Sequence, residues 1–121
     1  MTAQSKIIKC YNDTAADYAA DHIDELSEKH FDRLLLKEFA RVNKDKGLCA
    51  DFGCGPGQAT KFLYDHGLKN IIGVDLSSGM IETARRLGTV SVFIFDMFLC
   101  TLNSLQMGVV CCLYTDIRCC R

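Results

Sequence analysis

The chain has 121 residues with a formal net charge of -1, and 49% of it is hydrophobic. That length fits one small domain with enough apolar residues for a core, and the interleaved charges argue against a nucleic-acid footprint driven by bulk charge. No apolar stretch reaches the roughly 18–20 residues of a membrane helix, and the polar stretch Met1 to Lys9 lacks the apolar segment of a signal peptide, so a cytoplasmic location is the expectation. Cys10, Cys49 and Cys54 are scattered, whereas Cys100, Cys111, Cys112, Cys119 and Cys120 crowd the end of the sequence. None forms a C-x-x-C pair, and neighbours such as Cys111 and Cys112 would point to opposite faces of a strand. The expectation is reduced thiols and no metal site.

From about Ile7 to Val42 the chain reads as helical. Ile7, Ile8, Tyr11, Ala15 and Tyr18 recur at helical spacing, as do Phe31, Leu34, Leu35, Phe39 and Val42. Lys44 to Gly47 reads as a helix end and turn. The period then changes. Leu48 to Phe52 is a first strand, Gln58 to His66 a helix stopped by Gly67, and Asn70 to Asp75 a second strand. Ser77 or Ser78 caps a helix that runs to about Leu87 and places Arg85 and Arg86 in its last turn. Gly88 closes it. Val90 to Phe95 reads as a third strand ending at Asp96, and Gly108 to Tyr114 as a fourth. Strands alternating with helices of this length imply parallel pairing. The near-continuous apolar strands fit a sheet covered on both faces. Ligands of such sheets bind beyond the carboxyl ends of the strands, where Asp51, Asp75 and Asp96 all fall.

The densest signal is Asp51-Phe52-Gly53-Cys54-Gly55-Pro56-Gly57. An apolar strand ends in an acid and is followed by three glycines at alternate positions. Glycine accepts positive φ and lets a ligand reach the main chain. Asp51 adds a carboxylate for a cationic group. Asp75, at the end of the second strand, is placed to accept from a ribose diol. The spacing is G-x-G-x-G, whereas dinucleotide sites use G-x-G-x-x-G, and no Gly-Lys-Ser/Thr of a Walker loop is present.

This segment resembles motif I of the class I S-adenosylmethionine (SAM)-dependent methyltransferases, D/E-x-G-x-G-x-G. Ile72 to Ile81 looks like the family's G-x-D-x-S-x-x-M signature, and Phe95-Asp96-Met97 is similar to its acidic motif after the third strand. Tyr11 to Tyr18 looks like the Y-x-x-x-A-x-x-Y segment that precedes many such domains. The resemblance covers about Tyr11 to Met97. It implies an α/β fold, a Rossmann-like doubly wound parallel sheet with N-terminal helices, with residues 1–47 as a helical cap and 48–121 as a partial SAM-binding domain. It also implies SAM as methyl donor, held by Tyr11, Tyr18, Asp51, Gly53, Gly55, Gly57, Asp75, Leu76, Met80, Asp96 and Met97. Asp75 would take the ribose, Leu76 and Met80 the adenine pocket, and Asp96 the adenine amine. From the residues alone, Tyr11 and Tyr18 read first as core or lid packing and second as ligand contacts.

The family domain is larger than this chain, so the expectation is a sheet truncated after about the fourth strand, with an exposed apolar edge open to self-association. Asn103 to Val110 faintly resembles the family's run into that strand, with Leu105-Gln106 in place of Phe-Asp. The resemblance implies methyl transfer to an unidentified acceptor, a small molecule first, in a chain whose activity its length puts in question. No general base and no catalytic residue is assigned. His22, His30 and His66 read as surface residues among charged neighbours, and Cys54 as a small loop residue. The alternatives are a non-enzymatic SAM- or nucleoside-binding or assembly module and, behind it, a nicotinamide-dependent Rossmann oxidoreductase. The glycine spacing and Asp51, which would repel a pyrophosphate, disfavour the oxidoreductase.

Overall fold

The structure, a computed structural model, describes residues 2–22, 24–89, 92–94 and 108–111. Three helices come first: α1 (Ala3–His22), α2 (Glu25–Glu28) and α3 (His30–Asn43). The alternating part follows as β1 (Cys49–Phe52), α4 (Gln58–Asp65), β2 (Ile71–Asp75), α5 (Ser78–Arg86), β3 (Val92–Ile94) and β4 (Gly108–Cys111). The strands form a sheet of order β3-β2-β1-β4 in which every pairing is parallel. β1 therefore lies between β2 and β4, with Asp51 level with Gly73 on one side and Val110 on the other. A parallel sheet with helical connections is compatible with the Rossmann-like expectation.

The N-terminal helix starts earlier than the apolar period indicates. Thr2 is followed by a polar first turn whose donors it satisfies: Ser5 N donates to Thr2 Oγ1 at 3.1 Å and Lys6 N to Thr2 O at 3.1 Å. A periodicity of apolar residues cannot register such a turn. α3 carries the expected spacing but buries another face. Leu36, Phe39 and Ala40 pack inward, while Phe31, Leu34, Leu35 and Val42 are exposed, Phe31 at 69%. α4 and α5 end alike, with Leu68 N donating to Leu63 O at 3.0 Å and Thr89 N to Ala84 O at 2.9 Å. These six-to-one bonds close each helix around Gly67 and Gly88, the expected stops.

Two apolar clusters hold the layers together. Ala40 of α3, Cys49 of β1, Leu63 of α4, Leu68 and Ile71 of β2 form one. Cys54, Ile81 and Ala84 of α5, and Val92 of β3 form the other. Gly73 lies against the second. A Cβ there would come within 2.9 Å of Thr60 Oγ1 and 3.0 Å of both Cys54 Sγ and Val92 Cγ1. The helix can approach β2 this closely only over bare backbone.

Gly73→Ala forces three neighbours from three elements apart at once and is expected to destabilise the fold by about 1–3 kcal/mol, measured as a lowered urea midpoint. An unchanged midpoint would show that the packing around β2 relaxes freely. Cys49 provides a pH test. Its burial pushes the thiol above the ordinary value of 9.0. The folded chain keeps this proton after the unfolded chain has lost it, so stability is complete below the unfolded thiol's range and falls as pH rises above about 8.5–9. Urea titrations of wild type and Cys49→Ala between pH 7 and 10.5 should show the steeper alkaline loss in the wild type.

Candidate functional site

The site is built where β1 and β2 end, next to the place between β1 and β4 where the order of strands reverses. In open parallel sheets ligands bind in a crevice outside the carboxyl ends of the strands, near such a reversal. After Phe52 the chain turns through Gly53, Gly55 and Gly57, with φ of 72°, 54° and 84°. The loop is tied to the neighbouring strand by its backbone. Gly53 N and Cys54 N both donate to Val74 O, at 2.8 and 3.0 Å. At Gly53 a Cβ would meet nothing within 4 Å, so this stretch of main chain faces open space. Gly57 has a different reason to be glycine. A Cβ there would fall 2.6 Å from Thr89 Oγ1 and 2.7 Å from its Cγ2, in a left-handed conformation that side chains already disfavour.

Asp75 joins the two turns. Its Oδ2 accepts from Gly55 N at 2.9 Å, and its Oδ1 accepts from Ser77 N at 2.8 Å. An ionised carboxylate offers about four lone-pair directions, so each oxygen retains capacity for one more donor. Asp75 is half-buried and Gly55 likewise. The arrangement can therefore present an acceptor pair to a diol while its own position is fixed by two backbone donors. Beyond it, Leu76 is half-buried and Met80 fully so, at 2% exposure, its N–H taken by Ser77 Oγ at 3.1 Å. Of the two serines the sequence offers, Ser77 is the N-cap of α5.

Asp51 is placed inward. It is fully buried, and its Oδ2 accepts from Thr60 Oγ1 on α4 at 2.6 Å, a short bond of the charge-assisted kind. Thr60 reaches it by passing over Gly73, the residue beside Asp51 on β2. In this arrangement the carboxylate fastens α4 to the sheet instead of lining the crevice, because the helix above it carries a hydroxyl within reach.

α1 reaches the same edge. Tyr18 Cε1 lies 4.0 Å from the Cβ position of Gly55, so this ring borders the glycine loop. The ring also stacks on His22, with centroids 4.0 Å apart and planes at 13°. His22 is half-buried, its Nδ1 2.8 Å from Tyr18 O, and Gln58 Nε2 donates to its carbonyl at 3.3 Å, so the surface reading does not hold for it. His30 and His66 are exposed. Tyr11 is half-buried on α1, two turns before Tyr18. Asp96 and Met97, the ends of the expected third and fourth strands, and Cys100, Cys112, Cys119 and Cys120 lie outside the described residues.

Sequence reading passed over Asn12. Its Oδ1 accepts from Ser77 Oγ at 2.6 Å and Gly79 N at 2.9 Å, with Ser78 Oγ at 3.4 Å. The only trace in the sequence is its position beside Tyr11, since a long-range cap has no local spacing. A hollow of about 320 Å³ lies to one side, lined by Pro56, Gly57, Lys61, Phe62, Leu87 and Thr89. Of the expected site residues it touches Gly57 alone.

The Asp51–Thr60 bond yields a direct test. Thr60→Val keeps the shape and removes the donor, leaving a buried carboxylate short of a hydrogen bond. A loss of about 1–3 kcal/mol is expected in chemical denaturation. A variant as stable as the wild type would mean that the bond contributes nothing net.

No curated protein matches the chain significantly. A family model described as a methyltransferase domain matches residues 49–120, the stretch that opens with β1 and includes the glycine loop, Asp75 and α5. With well over half of its length matched, the chain belongs to the methyltransferase-domain family.

Proposed function

We propose that the chain binds S-adenosylmethionine across the carboxyl ends of β1 and β2 and serves methyl transfer to an acceptor, a small molecule first. The observation that carries this reading is the Asp75 carboxylate, held by Gly55 N and Ser77 N beside a loop with open space at Gly53. The residues fit the group in two respects. Asp75 has acceptor capacity for the ribose hydroxyls, and the bare backbone of Gly53 and Gly55 allows close approach of an amino-acid moiety. Leu76 supplies apolar surface for a purine, backed by the buried Met80, and Tyr18, with Tyr11, closes the site from α1. Asp96 and Met97 complete the adenine side in this reading. Asp51 acts from beneath, by holding α4 and its first turn against the sheet. The doubly wound sheet belongs to the same reading.

When bound, SAM supplies a methyl group already activated by its sulfonium. The chain's residues have then to orient donor and acceptor and to exclude water, work that positioning does well. No general base is assigned. A net charge of -1 with interleaved signs favours a small acceptor over a nucleic acid. The glycine spacing keeps the nicotinamide reading behind this one.

Calorimetric titration with SAM and S-adenosylhomocysteine tests the proposal. Saturable binding is expected, weakened about a hundredfold or more in Asp75→Ala, since two hydrogen bonds to a charged acceptor are lost. Melting curves establish that the variant is folded. A folded wild type that takes up neither ligand, or binds NAD more tightly than SAM, would sink the reading. Binding without turnover on a panel of acceptors would move the chain to a non-enzymatic binding module.

A further inference from the structure

We infer that Asn12 is a positioning residue of this site: from α1 its side-chain oxygen fixes the β2–α5 turn and, through Ser77, the Asp75 carboxylate. Where it concerns a ligand the inference rests on the donor reading above. Where it concerns Asp75 it rests on geometry alone.

Ser77 stands between the two residues. Its N–H donates to Asp75 Oδ1 at 2.8 Å, and its hydroxyl donates to Asn12 Oδ1 at 2.6 Å while accepting from Met80 N at 3.1 Å. The start of a helix leaves several backbone donors without partners. Here two acceptors share them. Ser77 takes Met80 N, and Asn12, from a distant part of the chain, takes Gly79 N at 2.9 Å. The contact needs glycine at 79, because a Cβ there would stand 2.9 Å from Asn12 Cα and 3.0 Å from its carbonyl oxygen. Each group facing Asn12 Oδ1 is serving as a donor, and a backbone N–H can be nothing else. The requirement at position 12 is thus an acceptor of the right reach, which a carboxylate also meets and a methyl does not. A carboxylate there also faces the positive end of α5.

The same helix touches the other turn, where Tyr18 borders Gly55. Asp75 receives one N–H from each turn. α1 therefore braces both turns from outside, and Asp75 locks them from inside. Removing the Asn12 oxygen should loosen Ser77, then Asp75, then the Gly55 N–H that Asp75 holds. Asn12 does not touch Gly55 itself, which makes this amide the informative one.

The experiment is amide-resolved hydrogen exchange on the full chain, with titration by S-adenosylhomocysteine in parallel. Asn12→Ala is expected to speed exchange at Ser77, Gly79 and Gly55 by about tenfold, with the β1–β2 ladder amides unchanged, and to weaken S-adenosylhomocysteine by about tenfold, the scale of one hydrogen bond. Asn12→Asp is expected to restore both. Unchanged exchange at Gly55 in Asn12→Ala would overturn the inference, as would slowing or speeding that is uniform over the whole sheet. Should Asn12→Ala fail to fold, Asn12→Asp decides: wild-type exchange at Gly55 supports the role, and faster exchange overturns it. A wild type that binds no S-adenosylhomocysteine defeats the donor reading and leaves the Gly55 amide to decide the role of Asn12.

Discussion

Two turns leave the ends of two neighbouring parallel strands, and Asp75 takes one backbone N–H from each of them. Parallel strands need this kind of fastening. Their connections cross over through helices, so adjacent strand ends are not joined by a short hairpin and nothing local sets the gap between them. A carboxylate is well suited to the task. It accepts only, so both oxygens can be committed to backbone donors and still have lone pairs facing outward. The shape of the crevice depends on this interaction. It sets the glycine loop relative to β2, places Ser77 as the cap of α5, and through Ser77 brings in the helix that precedes the sheet.

Asp51 and Thr60 show the same chemistry turned inward. Burying a carboxylate is costly unless it is bonded, and the hydroxyl of α4 supplies one such bond across Gly73. The acids at the ends of β1 and β2 therefore divide their labour. One fixes the helix that follows the glycine loop to the sheet. The other fixes the loop to the next turn. A ligand of the kind proposed would gain from both, because binding to a loop already held in place loses less conformational freedom.

Much of this was legible in the residues. Hydrophobic runs bounded by Gly47, Gly67 and Gly88 place β1, β2, α4 and α5 within a residue or so of their observed ends, since the helix stops and the strand starts are local chemistry. The parallel order follows from the alternation. Long-range facts were not legible. Whether Asp51 looks into the crevice or under α4 depends on Thr60, on a different element, and the value of Asn12 depends on a turn far along the chain. α3 shows the limit of periodicity in another way. Phe31, Leu34, Leu35 and Val42 form one apolar face and Leu36, Phe39 and Ala40 another, and spacing alone does not say which of two apolar faces meets the sheet. Packing decides in favour of the face with Ala40, whose small side chain lets α3 come close to Cys49, Leu63 and Ile71.

The helices before the sheet lie outside the matched family region, yet they are structurally continuous with it. α3 joins the first apolar cluster, and α1 lies against α5 at Gly79 and beside the glycine loop at Tyr18. Residues 49–120 taken alone would leave the start of α5 short of one acceptor and the glycine loop short of one aromatic neighbour. The close approach at Gly79 explains why α1 belongs to the site. Only where the backbones of two helices come within van der Waals range can a side chain as short as Asn12 cap the second from the first. A glycine inside α5, unfavourable for the helix by about 1 kcal/mol, is compensated by the hydrogen bonds it allows. That exchange of local helix propensity for a long-range acceptor is what makes the site a property of the whole described chain and not of its sheet alone.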